Sequence, residues 1–194
     1  PLATGLLVLG IESGTKLLTF LVGADKTYEA TIRLGQQTVS DDSESETVKS
    51  ASPDEVAKIS DADIKLEIEK LTGVIMQTPS SVSAIKVAGK RAYDLVRAGE
   101  QVELKAREVH IFSFEMLSAI RVDGFLDVEV RVECSSGTYI RALARDLGNA
   151  LGVGGHITAL RRTKVGHFDV KDANSIEELG ELRTTQLAVA ARQL

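Results

Sequence analysis

The sequence predicts an α+β fold, a mixed and mostly antiparallel sheet with flanking helices, and two stretches carry that prediction. In "LDVEVRVEC" the residues Leu126, Val128, Val130, Val132 and Cys134 alternate strictly with Asp127, Glu129, Arg131 and Glu133, the period of a strand with one wet face. After the loop "SSGT", Ile140, Leu143, Ala144, Leu147 and Leu151 mark one face of a helix that Gly152 stops. A doubly wound parallel sheet would need regular strand–helix alternation, which is absent, and no internal repeat is visible.

The remaining elements follow in chain order. Leu6 to Ile11 reads as a short buried strand, and Ser13 to Val22 as a helix with Leu17, Leu18 and Leu21 facing inward and Gly23 ending it. In "TYEATIRLG", Tyr28, Ala30, Ile32 and Leu34 alternate with Glu29, Thr31 and Arg33, which makes a half-exposed strand. "QQTVSDDSESETVKSA" has no apolar period and reads as a loop with room for a hairpin. Ser52-Pro53-Asp54-Glu55 offers a hydroxyl cap, a first-turn proline and carboxylates at the positive end of the dipole, and a second helix runs on to Leu71, closed by Gly73. An irregular run from Gln77 leads to a basic helix from about Lys90 to Ala98 with Gly99 as its stop, and Val102 to Phe114 reads as a strand. After Ser175 the chain turns helical and acidic.

Composition narrows the function classes. The 194 residues are 43% hydrophobic and 26% charged, ordinary for a soluble globular protein. Without a membrane-length apolar run, and with Cys134 alone, the expectation is a soluble protein of a reducing compartment, the cytoplasm. A net charge of −5 argues against a uniformly basic nucleic-acid binder. The charge is uneven, however: Asp41 to Lys70 holds ten acidic side chains against four basic, and Arg131 to His167 six basic against two acidic. Such a stretch is either a solvated charged face or a patch for a polyanion.

Several chemistries are excluded at this level. There is no P-loop, no glycine fingerprint for dinucleotides, no zinc-protease motif and no nucleophile elbow. His110, His156 and His167 lack metal-ligand spacing and read as surface or packing histidines. "GVGGH" reads as a helix stop and tight turn rather than an anion nest. Two of the three tyrosines, Tyr28 and Tyr139, stand beside basic residues at element boundaries in a chain with no tryptophan. They either stack on flat ligands such as bases or cap the edge of the core. Arg141, on the polar side of its helix with Arg145 one turn on, is either a site residue or a surface partner of Asp146.

"PLATGLLVLGIESGTK", "KTYEATIRLG", "PSSVSAIKVAGKRAYDLVRAGE" and "CSSGTYIRALARDLGNALGVGGHITALRRTKVG", in this order and at these intervals, closely resemble the bacterial tRNA pseudouridine synthase B family. The resemblance spans most of the chain. It implies the pseudouridine synthase catalytic fold over residues 1–194 and isomerisation of a uridine in the T loop of tRNA, in which the base is detached and rejoined through carbon 5. It implies no metal, no cofactor and no obligate protein partner, with the tRNA T stem-loop as the partner.

In the family "PLATG" follows "GTLD", whose aspartate is the nucleophile. The resemblance therefore places the nucleophile immediately before Pro1, and a small C-terminal RNA-binding, PUA-like domain beyond Leu194. A chain starting at Pro1 is expected to be inactive. Carried over residue by residue, Tyr28 is the ring that stacks on the flipped-out uracil, and Tyr139 the second ring and base for the carbon 5 proton. Arg141 is the arginine that pairs with the nucleophilic aspartate, and Leu160 the leucine of the base pocket. Asp42 falls where the family carries a polar tRNA-facing acid, although "TVSDDSES" departs from the usual pattern. Lys86, Lys90, Arg91, Arg161, Arg162 and Lys164 are candidates for phosphate contacts. Two other readings of the same residues are a non-catalytic tRNA-binding or RNA-folding module, which the lack of an aspartate beside the pocket would suit, and a plain structural domain without salt-sensitive tRNA binding.

Overall fold

The structure, a computed structural model, describes residues 2–81, 86–87, 90–91 and 104–181. From the start the described elements are β1 (Ala3–Gly5), a 3-10 helix (Glu12–Leu18), α1 (Thr19–Val22), β2 (Lys26–Leu34), β3 (Gln36–Thr38) and β4 (Thr47–Ser50). Then come α2 (Pro53–Ala57), α3 (Asp61–Lys70), β5 (Gly73–Gln77), β6 (Lys86–Val87) and β7 (Lys90–Arg91). The rest comprises β8 (Arg107–Val122), β9 (Phe125–Cys134), α4 (Ile140–Ala150), β10 (Gly155–Val165), β11 (Phe168–Asp169), a 3-10 turn (Val170–Asp172) and α5 (Ile176–Glu181).

One sheet organises the molecule in the order β1-β10-β2-β9-β8-β5, with β11 on the end of β10. Only β1 with β10 is parallel among the pairings of this sheet, so the expected mostly antiparallel α+β architecture is what is found. The alternating strand β2 buries Ala30, Ile32 and Leu34, and β9 buries Leu126, Val128, Val130, Val132 and Cys134. Against this face α4 lays Ile140, Leu143, Ala144 and Leu147, and α3 adds Ile64 and Ile68. The helix starts have local causes. Ser52 with Glu55 and Ser60 with Asp63 each form a reciprocal capping box, satisfying donors that a helix end leaves open.

Between α4 and β10 the chain reverses so tightly that backbone lies on backbone. A Cβ at Gly148 would strike Gly154 and Gly155, and one at Gly155 would strike the Ala144 carbonyl. The Val153 and Gly154 amides both donate to the Gly148 carbonyl, at 3.1 and 2.9 Å, so "GVGG" is the turn its spacing suggests. It returns the chain to the middle of the sheet.

Four expectations need correction. The Leu6–Ile11 run is not a strand: pairing ends at Gly5, whose φ of +96° turns the chain off β10. Leu6 stays buried, whereas Leu7, Leu9 and Ile11 are exposed. The predicted Ser13–Val22 helix is a 3-10 segment with one α turn, ended by Gly23 as expected, but none of its residues is buried. It has no side-chain N-cap, and Leu17 is 53% exposed. Lys90 and Arg91 belong to β7, paired with β6, and not to a helix; the remainder of that predicted helix lies outside the described residues. The strand expected over Val102–Phe114 begins at Arg107 and continues to Val122, because an Asp123-Gly124 turn with positive φ at both residues folds it back onto β9. The "QQTVSDDSESETVKSA" hairpin is present as β3–β4.

Leu147, fully buried under α4, should lose about 2–5 kcal/mol of stability on Leu147→Ala. Gly148→Ala should cost at least about 1–3 kcal/mol, because the new methyl meets backbone that cannot yield. Urea unfolding followed by far-ultraviolet circular dichroism measures both.

Candidate functional site

The expected site residues gather along β10. Across the β2–β10 ladder Tyr28 stands opposite Arg162 and Ala30 opposite Leu160. Tyr28 and Leu160 are half-buried and pack against the core, their strands having turned the same face inward. Burial, with the buried Cys134 thiol next to it, pushes the Tyr28 phenol up, and the Arg162 guanidinium acts the other way. Arg162 is also committed internally: its Nε donates to the Leu6 carbonyl at 2.9 Å, and its own carbonyl accepts from the Leu6 amide at 2.7 Å. That close approach requires Gly5, where a Cβ would collide with the Arg162 carbonyl oxygen.

Three residues before Leu160, β10 meets the acidic loop. The Ile157 amide donates to the Asp41 carbonyl at 3.1 Å and the Ser43 amide to the Ile157 carbonyl at 3.0 Å, so Asp42 bridges Ile157 in parallel. From α4, Arg141 Nη1 reaches Asp42 Oδ2 at 2.8 Å and the Ser40 carbonyl at 2.9 Å. One turn on, Arg145 binds Asp41 Oδ2 at 3.1 Å, Asp146 Oδ1 at 2.9 Å and the Thr78 carbonyl at 2.7 Å. The Asp42 side chain is 9% exposed and that of Asp41 5%. Burial pushes the Asp41 and Asp146 carboxyls up, opposed by Arg145 at each. Asp146 therefore partners Arg145 and not Arg141. The Asp42 carboxylate is held from its other side by the Ser40 hydroxyl and the Glu44 amide.

Tyr139 is the N-cap residue of α4. Gln77, wholly buried at the end of β5, accepts from the Tyr139 amide at 2.8 Å and donates to its carbonyl at 3.1 Å. Arg107, across from Gln77 in the β5–β8 register, lies over the Tyr139 ring with its Cζ 5.0 Å from the centroid. Neither Gln77 nor Arg107 stands out in the sequence, where one is a polar residue before "TP" and the other one basic residue in a charged run. The acidic loop did carry a signal, two successive aspartates to match two arginines one helical turn apart.

The phosphate candidates divide. Arg162 shares the face of Tyr28, whereas Arg161 opposite Glu29 and Lys164 opposite Thr27 lie on the other, open face. There Glu29 also pairs with Arg131 at 2.9 Å, and Arg33 makes a two-point pair with Asp127. Lys86, Lys90 and Arg91 lie in the β6–β7 hairpin. His156 is buried with Nδ1 3.0 Å from the Gln36 carbonyl, a packing role as expected, and His110 and His167 are exposed. Among the described residues no group of three or more His, Cys, Asp or Glu could hold a metal ion, and no helix is long and apolar enough to cross a membrane. Burial pushes the Cys134 thiol up to about 11.

Comparison with known proteins now gives the class. Residues 1–140 match the model of the TruB family pseudouridylate synthase N-terminal domain, and residues 141–192 that of the tRNA pseudouridylate synthase B C-terminal domain. These matches place the chain among the pseudouridylate synthases. Within them it belongs to the TruB family.

Its relatives include the tRNA pseudouridine synthase B of Paenarthrobacter aurescens, 55% identical over 197 residues, covering 100% of this chain and 62% of the relative. That of Mycobacterium tuberculosis (strain ATCC 25618 / H37Rv) is 53% identical over 189 residues, covering 97% and 62%. The chain thus spans about three fifths of the length of these relatives. Among solved structures, a chain of a Cbf5-Nop10-Gar1 complex aligns with TM-score 0.58 and 26% identity over 86% of this chain and 38% of its own. The boundary between the two family models falls at the start of α4, yet β10, from the second, lies between β1 and β2 from the first. Both stretches share one sheet.

Removing the Asp42 carboxylate leaves Arg141 facing a buried gap, so Asp42→Ala should cost about 3 kcal/mol. Glu29→Ala, which breaks a pair with side chains 48% and 42% exposed, should cost under about 1 kcal/mol; paired urea titrations decide. Cys134 should stay unmodified by a thiol-reactive disulfide at pH about 8 in the native protein and react once unfolded, because only the thiolate attacks.

Proposed function

We propose that this chain supplies the catalytic domain of an enzyme that isomerises a uridine in the T loop of tRNA to pseudouridine, in the cytoplasm. One observation carries the reading. β1 and the Asp41–Ser43 segment take the same edge of β10, β1 at Leu160–Arg162 and Asp42 at Ile157, so the start of β1 lies near the loop whose Asp42 binds Arg141. The aspartate that the family carries just before Pro1 would enter the site beside the Arg141–Asp42 pair. Arg141, oriented by Asp42 and the Ser40 carbonyl, would hold that second carboxylate ionised and aimed.

The other residues fit the same chemistry. A base inside a folded loop has to be extruded, and stacking on Tyr28 offsets part of the unstacking cost. Leu160 keeps the pocket apolar. In the reaction the bond from the ribose to N1 of the base breaks, the bond to carbon 5 forms, and the carbon 5 proton leaves to Tyr139, while N1 regains a proton. The pairing of β1, β10 and β2 in one sheet supports reading the matched residues as a single domain. The Tyr28 face and Arg162 would meet the T stem-loop.

The enzyme extended upstream as in its relatives should convert the T-loop uridine, and a chain beginning at Pro1 should not. Arg141→Ala in the extended enzyme should lower the rate by at least about 10²-fold, the scale for losing a group that holds reacting charge. Activity near wild type would exclude that role. Salt-sensitive tRNA binding without conversion by the extended enzyme would favour the RNA-folding module instead.

A further inference from the structure

We propose that Arg107 is a positioning residue for Tyr139, acting with Gln77 as a two-point clamp built on one rung of the sheet. The inference rests on the reading of Tyr139 as the residue that takes the carbon 5 proton.

Tyr139 sits where β9 hands over to α4, at a backbone conformation of φ −105° and ψ 109° outside the helix. Nothing in helix geometry fixes a residue there. Gln77 supplies the constraint on the main chain, its carboxamide matching the Tyr139 amide and carbonyl as a neighbouring strand would. That clamp leaves the ring free to turn about χ1 and χ2. Arg107, the Cα partner of Gln77 across β5–β8, acts on the ring. Its Nη2 donates to the Gly137 carbonyl, two residues before Tyr139, and its Cζ stands 5.0 Å from the ring centroid.

The Arg107 Nε is shielded from solvent and has no hydrogen-bond partner. A buried donor left unsatisfied is costly, and native proteins rarely tolerate one without a reason. Here the guanidinium faces an electron-rich aromatic face in place of an oxygen, the arrangement of a cation–π contact. The planar group covers one side of the ring, and no hydrogen bond among the described residues takes the Tyr139 hydroxyl. The ring is thereby held at one orientation with its oxygen left for the substrate. Because Gln77 and Arg107 occupy one rung, backbone and ring are referred to the same point of the sheet edge.

The test uses the extended enzyme and T-arm RNA tritiated at carbon 5 of the target uridine, with tritium release read under single-turnover conditions and RNA affinity measured separately. Arg107→Met, which keeps the aliphatic bulk, should slow release by about 10²-fold, the scale of a misplaced catalytic group, with RNA affinity unchanged. Arg107→Lys, retaining the cation without the plane, should recover part of the rate. In a Tyr139→Phe background Arg107→Met should cause no further loss, because both changes act at one point.

A wild-type rate for Arg107→Met, a loss seen only in affinity, or an equal loss in the Tyr139→Phe background would each overturn the inference. Should Arg107→Met melt below the assay temperature, Arg107→Lys decides alone, a slowed step at unchanged affinity supporting the clamp and a wild-type rate overturning it. Absence of tritium release from the unsubstituted enzyme would instead overturn the pseudouridine reading on which the inference rests.

Discussion

The antiparallel pairing of β2 with β10 is the constraint on which the site depends. It sets Tyr28 against Arg162 and Ala30 against Leu160, and it presents the other edge of β10 to two further segments. β1 takes the end around Leu160–Arg162, and the Asp41–Ser43 bridge takes Ile157. Register in a sheet is all or none for the side chains, since a slip of one residue would turn every one of them to the opposite face. The stacking surface, the apolar wall and the acidic loop are therefore placed by one ladder.

The second level of organisation is electrostatic. The chain is acidic overall, yet its best-buried charges are arranged as arginines from α4 reaching into the loop between β3 and β4. These pairs lie in a setting where attraction is weakly screened and desolvation is costly, so their geometry has to be good to be tolerated at all. The loop meets that demand with the Ser40 hydroxyl and carbonyl and the Glu44 amide as extra partners, and the Thr78 carbonyl beyond β5 adds one for Arg145. The open-face pairs of Glu29 and Arg131 carry no such support and organise little. The two glycine contacts of the α4–β10 reversal make the difference possible, because they bring α4 close enough to the sheet for its arginines to reach.

The strands β2 and β9 and the helix α4 are legible from sequence because each obeys a single period over its length, and burial follows that period. β10 does not read as a strand. Its pairing with β2 shifts register between Ile157 and Ala159 and again between Arg162 and Lys164, and each irregularity resets the alternation on which such a reading relies. The Leu6–Ile11 run misleads for the opposite reason: a continuous apolar string suggests burial, and a glycine turn carries it off the sheet. In the site, Tyr28, Tyr139, Arg141 and Leu160 are reached through a family resemblance, and the fold sets Tyr28 with Leu160 and Arg141 with a carboxylate. Asp42 is reached only as a tRNA-facing acid of the family, and its pairing with Arg141 stays hidden because that arginine comes to it from 99 residues further along the chain. Gln77 escapes for the same reason, since its partner is the backbone of Tyr139.

The sheet also imposes an order on synthesis. The bonds that hold Leu6 to Arg162 join residues 156 apart in sequence, and β2 likewise waits for a strand near the far end of the described chain. During translation the hairpin of β8 and β9 can form at once and pair with β2, but β1 has no partner until β10 has left the ribosome. Until then the nascent protein exposes one flank of β2 as an open, apolar edge of the kind that recruits unrelated chains. A ribosome that stalled between α4 and β10 would thus release a product with much of its core in place and an adhesive seam along the middle of its sheet.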